Sequence, residues 1–409
     1  MNCENAELAT KPEDEPPRPE LDLGRFISID EISSIFNLNK EELKKICSKY
    51  PLRISSYYFS LIKEKNDGIY KQCIPSSKEI YDSCGEEDPL NEEPENQNRQ
   101  EVPSLLIHRY PDRVLFRISN SCAMYCRFCT RKRKVGDPNK APTWEEIVKA
   151  LLYIKEHEEI RDVILSGGDP FMLPVKLLER IIRAVYIIIS KRKDGIIRIG
   201  TRIPCVLPQK ITEELCDMLK KYHPLYVNTH FNHPNEITPE SKKACSMLAD
   251  AGIPLGNQTV LLKGVNDNPE TMRKLMLGLI GMRVKPYYIY QCDPVKGVNH
   301  FRTRVEKGLE IYKSLRGHIS GLGVPQFVID SPGGGGKIPL LPEYLLSIDD
   351  DKVILRNYEG NIHEYPQVKD YLWISFKPNK KFKKKFWLFL KISKNKREIN
   401  QYGSKIYNE

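Results

Sequence analysis

The chain contains 409 residues with a formal net charge of +10, and its eleven cysteines are scattered along it. This length allows two or three structural units around a large core. An odd, scattered set of cysteines argues against a disulfide framework. The first residues lack the charged and apolar parts of a signal peptide, and no apolar run approaches the ~20 residues that span a bilayer. We therefore expect a cytoplasmic protein without a transmembrane segment.

The positive charge is concentrated at the C-terminus. Residues 369–409 contain twelve Lys or Arg and three Asp or Glu, which gives this segment a net charge of +9. The rest of the chain is nearly neutral, which argues against nucleic-acid binding by its body. Because aromatic residues alternate with the basic ones, this basic tail could contact anionic lipid or RNA. The alternative is a tail that is solvated or packs on another subunit without a separate partner.

The N-terminal quarter reads as helical. Residues 1–25 are rich in Pro and Glu, and we expect them to be disordered. Residues 26–104 are expected to form a helical region, in which 28–47 is predicted to be helical because Ile29, Ile32, Ile35 and Phe36 recur at helical spacing. Thr143 and Glu146 then form a capping box, which predicts the start of a helix through residue 156.

Short β-branched runs alternate with amphipathic helices between residues 105 and 340. The predicted strands are 113–119, 162–166, 196–202, 225–229, 254–261 and 284–290. The predicted helices after the first are 174–190, 209–222, 238–251, 269–279 and 303–317. This α/β pattern favours a partial TIM-like (β/α)6 barrel with functional groups at the C-terminal ends of its strands. Residues 341–368 are expected to form a C-terminal extension with a hairpin between 352–356 and 362–365.

Three cysteines follow the first predicted strand with the spacing C-x3-C-x2-C: Cys122, Cys126 and Cys129. A cubane iron–sulfur cluster has four irons, so three thiolates would leave one iron open to bind a small molecule. Structural zinc would need a fourth ligand, and no second C-x2-C pair occurs in the chain. Buried free thiols are the remaining alternative. The spacing favours the cluster.

A second motif places Lys337 after four consecutive glycines, Gly333–Gly336. Glycines in a row suit a backbone that approaches a ligand closely. The lysine is a candidate nucleophile for a Schiff base to pyridoxal phosphate (PLP). Taken alone, the segment is also compatible with a flexible loop and a solvated lysine. Upstream, Arg109 and Arg113 could bind a phosphate or form surface ion pairs.

Together these motifs resemble the lysine 2,3-aminomutase family of radical SAM enzymes, which also use PLP. The resemblance covers roughly residues 40–366 and extends through 51–58, 108–113, 165–170, 200–202, 228–234, 290–293, 297–302 and 352–356. It implies an isomerase that moves the amino group of L-lysine from C2 to C3 and produces β-lysine.

The resemblance also implies which residues bind the cofactors. The three cysteines would ligate a 4Fe-4S cluster, and the open iron would bind S-adenosylmethionine (SAM). Lys337 would hold PLP covalently, with Arg109 and Arg113 at its phosphate. The segment expected to lie against SAM consists of Ser166, Gly167, Gly168 and Asp169.

For the substrate, the resemblance assigns the carboxylate to Arg131 and the distal ammonium to Asp293 and Asp330. One arginine and two carboxylates at opposite ends would select a cationic amino acid of a given length. Relatives that act on glutamate would not favour two carboxylates there, so we expect lysine. The plainer interpretation is that both aspartates cap turns.

This chain departs from the family at its zinc site. Asn268 stands where typical members have a cysteine, and no cysteine follows Cys292, so zinc is not expected. The resemblance further implies an external reductant, such as flavodoxin or ferredoxin, and a homo-oligomer.

Three other functions stay open at this point. The substrate could be another cationic amino acid, or the product could serve to modify a translation factor, although the long N-terminal region argues against the latter. A non-catalytic, degenerate iron–sulfur protein is the third, which intact Lys337, Arg131, Asp293 and Asp330 argue against.

Overall fold

The structure is a computed structural model that describes residues 25–97, 99 and 101–368. The chain divides into two compact units, one ending at Pro342 and the other beginning at Glu343. Residues 1–24 of the segment predicted to be disordered, 1–25, and the predicted basic tail, 369–409, lie outside the described residues.

The N-terminal region contains four short helices: α1 (Ile29–Phe36), α2 (Lys40–Lys49), α3 (Ser56–Ser60) and α4 (Gly68–Cys73). The prediction of helical structure over 28–47 is confirmed, but as two helices with a break between them. Asn37 adopts a left-handed conformation with φ of 49°, which ends α1. The side chain of Asn39 then accepts a hydrogen bond from Glu42 N and caps the start of α2.

A nine-stranded sheet forms the barrel, and its strands neighbour one another in chain order. They are β1 (Leu106–Tyr110), β2 (Arg113–Ser119), β3 (Asp162–Gly167), β4 (Ile196–Gly200), β5 (Leu225–Thr229), β6 (Leu255–Leu261), β7 (Lys285–Gln291), β8 (Gln326–Ser331) and β9 (Gly336–Pro339). Strands β2 to β8 are parallel, whereas β1 and β9 pair antiparallel at the two edges. The partial barrel is confirmed, and β1, β8 and β9 add to the six predicted strands.

The remaining helices connect the strands: α5 (Trp144–Glu156), α6 (Val175–Ile189), α7 (Ile203–Val206), α8 (Glu213–Leu219), α9 (Pro239–Asp250), α10 (Pro269–Gly281) and α11 (Val305–Leu315). The predicted capping box at Thr143 and Glu146 is confirmed at the start of α5. In α6, Leu178, Ile182 and Val185 recur at helical spacing and are fully buried. Among the described helices, none is both long enough and apolar enough to cross a membrane.

The two edges of the barrel sheet approach each other at one point. The backbone N–H of Lys337, in β9, donates to the hydroxyl of Tyr110 at the end of β1, over 3.0 Å. Gly336 has φ of +83°, and a Cβ there would lie 2.9 Å from the Tyr110 hydroxyl oxygen. Glycine is therefore required where β9 passes β1.

The second unit contains a three-stranded antiparallel sheet formed by β10 (Leu345–Ile348), β11 (Lys352–Arg356) and β12 (Ile362–Pro366). The predicted hairpin is confirmed as the pair β11–β12.

We predict that Gly308→Ala destabilises the barrel. A Cβ on Gly308 in α11 would lie 2.1 Å from the ring of Phe327, which is 1% exposed in β8. Overpacking a core costs about 1–3 kcal/mol, and removing a helical glycine returns at most ~1 kcal/mol. Thermal denaturation should show a lower melting temperature. Gly321→Ala is the control, because a Cβ there meets nothing within 4 Å. Equal melting temperatures for the two variants would contradict the prediction.

Candidate active site

The three cysteines lie in the loop between β2 and α5. Cys122, Cys126 and Cys129 line one pocket together with Tyr50 and Lys132. Backbone hydrogen bonds attach this cysteine loop to the N-terminal region, where Tyr125 N donates to Arg53 O and Arg127 N donates to Gln72 O, each over 2.9 Å. The helical N-terminal region therefore forms one wall of the site.

The thiols fit the requirements of a cluster. Burial raises the pKa of Cys122 well above its ordinary value, and burial together with Cys126 raises the pKa of Cys129 to about 11. Without metal the thiols of Cys122 and Cys129 hold their protons, and binding iron would displace them. In the described part of the chain, no three Cys, His, Asp or Glu side chains converge on one ion. A cubane binds each thiolate to a different iron, so three thiols around one pocket are the arrangement it needs.

A buried ion-pair group fixes the cysteine loop. Glu79 pairs with Arg127 over 2.6 Å and with Lys132 over 2.9 Å, and their side chains are 0%, 2% and 6% exposed, respectively. Burial raises the pKa of Glu79, but the two cations outweigh it and the net shift is downward. The carboxylate thus stays ionised and ties the residues around Cys129 to the N-terminal region.

The predicted SAM segment, residues 166–169, packs directly against the start of the cysteine loop. A Cβ on Gly167 would lie 2.2 Å from Ser119 O, and one on Gly168 would lie 2.6 Å from Ser121 N. Only glycines permit this approach. Ser166 lies at the end of β3 beside them, within the same segment.

Asp169 points into the barrel wall, where it is 4% exposed. It accepts hydrogen bonds from the Thr201 hydroxyl and from Arg202 N, both over 2.7 Å. Burial raises its pKa, and these hydrogen bonds oppose the rise. It also accepts from Phe171 N over 3.0 Å, so Asp169 joins the segment after β3 to the residues that follow β4.

Lys337 lies on β9, beside the end of β8. Its Nζ is 3.1 Å from Oδ2 of Asp330, and Nη1 of Arg109 is 2.9 Å from the other carboxylate oxygen. The Nζ also lies 5.6 Å from the centre of the Tyr290 ring. The structure therefore brings together three predicted residues: Lys337, Asp330 and Arg109.

Asp293 belongs to the same electrostatic group. Burial, followed by the charges of Asp330 and Glu92, raises the pKa of Asp293 to about 7, while Lys337 and Arg109 act in the opposite direction. The two predicted carboxylates are therefore close enough to repel each other.

Arg131 has a carboxylate partner that the sequence did not suggest. Glu92 accepts from its Nε over 2.8 Å and from its Nη2 over 2.7 Å. Burial raises the pKa of Glu92, but Arg131 outweighs it and the net shift is downward. Because both bonds use one edge of the guanidinium, the Nη1 side is left for a second carboxylate.

Arg113 contacts two of its near neighbours in the chain. Its guanidinium lies 4.2 Å from the centre of the Tyr110 ring and 3.5 Å from Asp112. Its side chain is 39% exposed. The structure thus pairs it with neighbouring residues, as in the surface interpretation of the two arginines.

We predict that Glu79→Gln strongly destabilises the protein. Breaking a buried ion pair from one side leaves uncompensated charge and costs about 3–5 kcal/mol. Because the pKa of Glu79 is lowered on folding, its contribution is present above its unfolded pKa of 4.5 and is lost as pH falls through the folded value. Urea denaturation at pH 7 and at lower pH would measure both effects. The control, Glu41→Gln, removes an exposed pair with Lys44 and should not change the denaturation midpoint.

Similar midpoints for both variants at pH 7 would show that the buried pair does not hold the loop.

The comparisons identify the family. The family model described as "Lysine-2,3-aminomutase" matches residues 312–406, and that of the Radical SAM superfamily matches residues 116–276. The first match reaches past the predicted limit of residue 366 into a segment outside the described residues.

Relatives cover most of the chain. The L-lysine 2,3-aminomutase of Methanococcus maripaludis is 55% identical over 81% of this chain and 76% of that protein. That of Fusobacterium nucleatum is 49% identical over 88% and 85%. The glutamate 2,3-aminomutase of Clostridioides difficile is 45% identical over 83% and 79%. The resemblance is thus confirmed, and the chain belongs to the lysine 2,3-aminomutase family of the radical SAM superfamily.

Proposed function

We propose that the protein is an L-lysine 2,3-aminomutase, which moves the amino group of L-lysine from C2 to C3. One observation carries the proposal: Lys337 and Asp330 are in contact, and Asp293 lies in the same electrostatic group. A nucleophilic lysine beside two carboxylates suits PLP and a cationic amino acid. Relatives named L-lysine 2,3-aminomutase at 49–55% identity support the same reaction.

The cofactors are a 4Fe-4S cluster, SAM and PLP. When bound, they supply a carbon-centred radical and a carrier for the migrating amino group. Cys122, Cys126 and Cys129 would ligate the irons, and Lys337 would bind PLP at Nζ. Arg109, already at the lysine–aspartate pair, is the better placed of the two arginines for the phosphate.

The substrate-binding residues are proposed from charge and contacts. Asp293 and Asp330 would receive the distal ammonium of lysine, and Arg131 its carboxylate. Glu92 would hold Arg131 in orientation by its two hydrogen bonds and leave the Nη1 side for the substrate. A glutamate side chain would meet two carboxylates, which disfavours it. The positions of Gly167, Gly168 and Asp169 beside the start of the cysteine loop support the proposed place of Ser166, Gly167, Gly168 and Asp169 against SAM.

Three further features complete the proposal. A one-electron reductant, such as flavodoxin or ferredoxin, would reduce the cluster, and the enzyme would act as a homo-oligomer.

The ten cysteines of the described residues are free thiols, which supports a reducing compartment such as the cytoplasm.

We predict β-lysine as the product of anaerobic turnover with L-lysine, SAM, PLP and dithionite. Lys337→Ala should abolish it, because no Nζ remains to hold the cofactor, while the cluster absorbance is retained. Mass spectrometry after derivatisation measures the product, and L-glutamate serves as the control substrate. 5′-Deoxyadenosine without β-lysine would mean that the radical chemistry works on another substrate. Cluster without either product would refute the proposed activity.

We also predict that the affinity for lysine rises with pH. The ammonium binds the ionised form of Asp293, whose pKa is about 7 in the ligand-free protein. The substrate ammonium stays protonated throughout, since its pKa is about 10.4. The KM for lysine should therefore fall between about pH 6 and 8 and level off above. Asp293→Asn should remove this dependence and raise KM at pH 8 by roughly 10- to 100-fold.

A KM for the wild-type enzyme that does not change across this range would argue against contact between Asp293 and the ammonium.

A further inference from the structure

A buried arginine contacts one of the three cysteine sulfurs. Arg202 follows β4, and its Nη1 donates to Sγ of Cys126 over 2.8 Å. Its side chain is 8% exposed. Within the described ranges, the other arginines of this neighbourhood donate elsewhere: Arg127 to Glu79, Arg131 to Glu92, and Arg53 to Ser121.

The guanidinium of Arg202 is held in one orientation. Its Nε donates to His230 O over 3.1 Å, and its Nη2 donates to Gln72 Oε1 over 2.6 Å and to Glu236 Oε1 over 2.9 Å. The Tyr58 hydroxyl lies 3.4 Å from the same nitrogen. These partners occupy the sides of the group away from the sulfur, so Nη1 is aimed at Cys126.

The counter-ion of Arg202 lies on the side of the guanidinium that faces away from the sulfur. Glu236, its buried counter-ion, is 0% exposed and lies on the Nη2 side. The ring centres of Phe128 and Tyr58 lie 5.3 and 5.5 Å from the guanidinium carbon. The positively charged end of this ion pair therefore faces the sulfur of Cys126. Little water surrounds it, so the electrostatic interaction between the guanidinium and the sulfur is weakly screened.

We propose that Arg202 sets the reduction potential of the cluster through its hydrogen bond to Cys126. This inference rests on the proposed function, which places a 4Fe-4S cluster on the cysteine loop. An oxidised cluster with three thiolates carries a net negative charge, and the electron from the reductant makes it more negative. A cation that donates to a ligand sulfur stabilises the reduced state and raises the potential. Arg202 thus eases the reduction that must precede SAM cleavage.

The first test compares potentials of reconstituted holoenzymes by EPR-monitored titration. Arg202→Gln should lower the equilibrium constant for reduction by tenfold or more, which for one electron is a shift of about 59 mV to more negative potential. Arg202→Lys keeps the charge and should shift it less. Arg198→Gln is the matched control, because Arg198 pairs with Asp162 and should leave the potential unchanged. Equal potentials for Arg202→Gln and the wild type would overturn the inference.

A second test does not depend on whether an Arg202 variant folds or binds the cluster. Arginine labelled with ¹⁵N only at its guanidino nitrogens is incorporated, and the reduced holoenzyme is studied by pulsed EPR. A ¹⁵N hyperfine coupling to the cluster is expected in the wild type and in Arg198→Gln. Its absence overturns the inference even where turnover is normal. A wild-type chain that binds no cluster overturns both this inference and the proposed function.

Discussion

Buried charges hold the cysteine loop where regular secondary structure does not. Glu79 and Glu236 are each 0% exposed, and each pairs with a buried arginine, Arg127 and Arg202 respectively. Burying a charge is costly unless it is paired and hydrogen-bonded. These pairs therefore form only when the cysteine loop, the end of β4 and the N-terminal region have all folded. The geometry of the site thus depends on the folding of the whole first unit.

The position of Lys337 also depends on parts of the chain that are distant in sequence. The glycine run reverses the chain after β8, and β9 then returns antiparallel along it, so that Asp330 and Lys337 are register partners. The opposite edge contributes Tyr110, which receives the N–H of Lys337. The reactive lysine thus stands where the two edges of an incomplete barrel approach each other, fixed from both sides.

Local patterns in the sequence were sufficient to predict the barrel and to find the cysteine and lysine motifs. β-Branched runs predicted β2 to β7, and the capping box predicted the start of α5. The strand β8 was missed because the glycines that follow suggested a loop. The break at Asn37 was missed because a left-handed asparagine leaves the apolar spacing around it unchanged.

Long-range charge pairing was not predictable from local patterns. Residues 86–96 are an acidic stretch and residues 131–134 are all basic. Glu92 pairs with Arg131, and Asp88 and Glu93 both pair with Arg133. Nothing near Glu92 in the sequence distinguishes it from a surface glutamate. The opposite signs of these two runs were the one available signal, and they become informative only once the fold brings them together.

The ligand-free site is electrostatically incomplete at the end assigned to the distal ammonium. Asp330 has two cationic partners, Arg109 and Lys337, whereas burial and the charge of Asp330 disfavour the ionised form of Asp293. A substrate that carries its own positive charge supplies what this carboxyl lacks, and a neutral or acidic side chain does not. Selectivity for a cationic amino acid then follows from the different partners of the two carboxyl groups: Asp330 is paired with the protein's own cations, and Asp293 would be paired with the ammonium of the substrate.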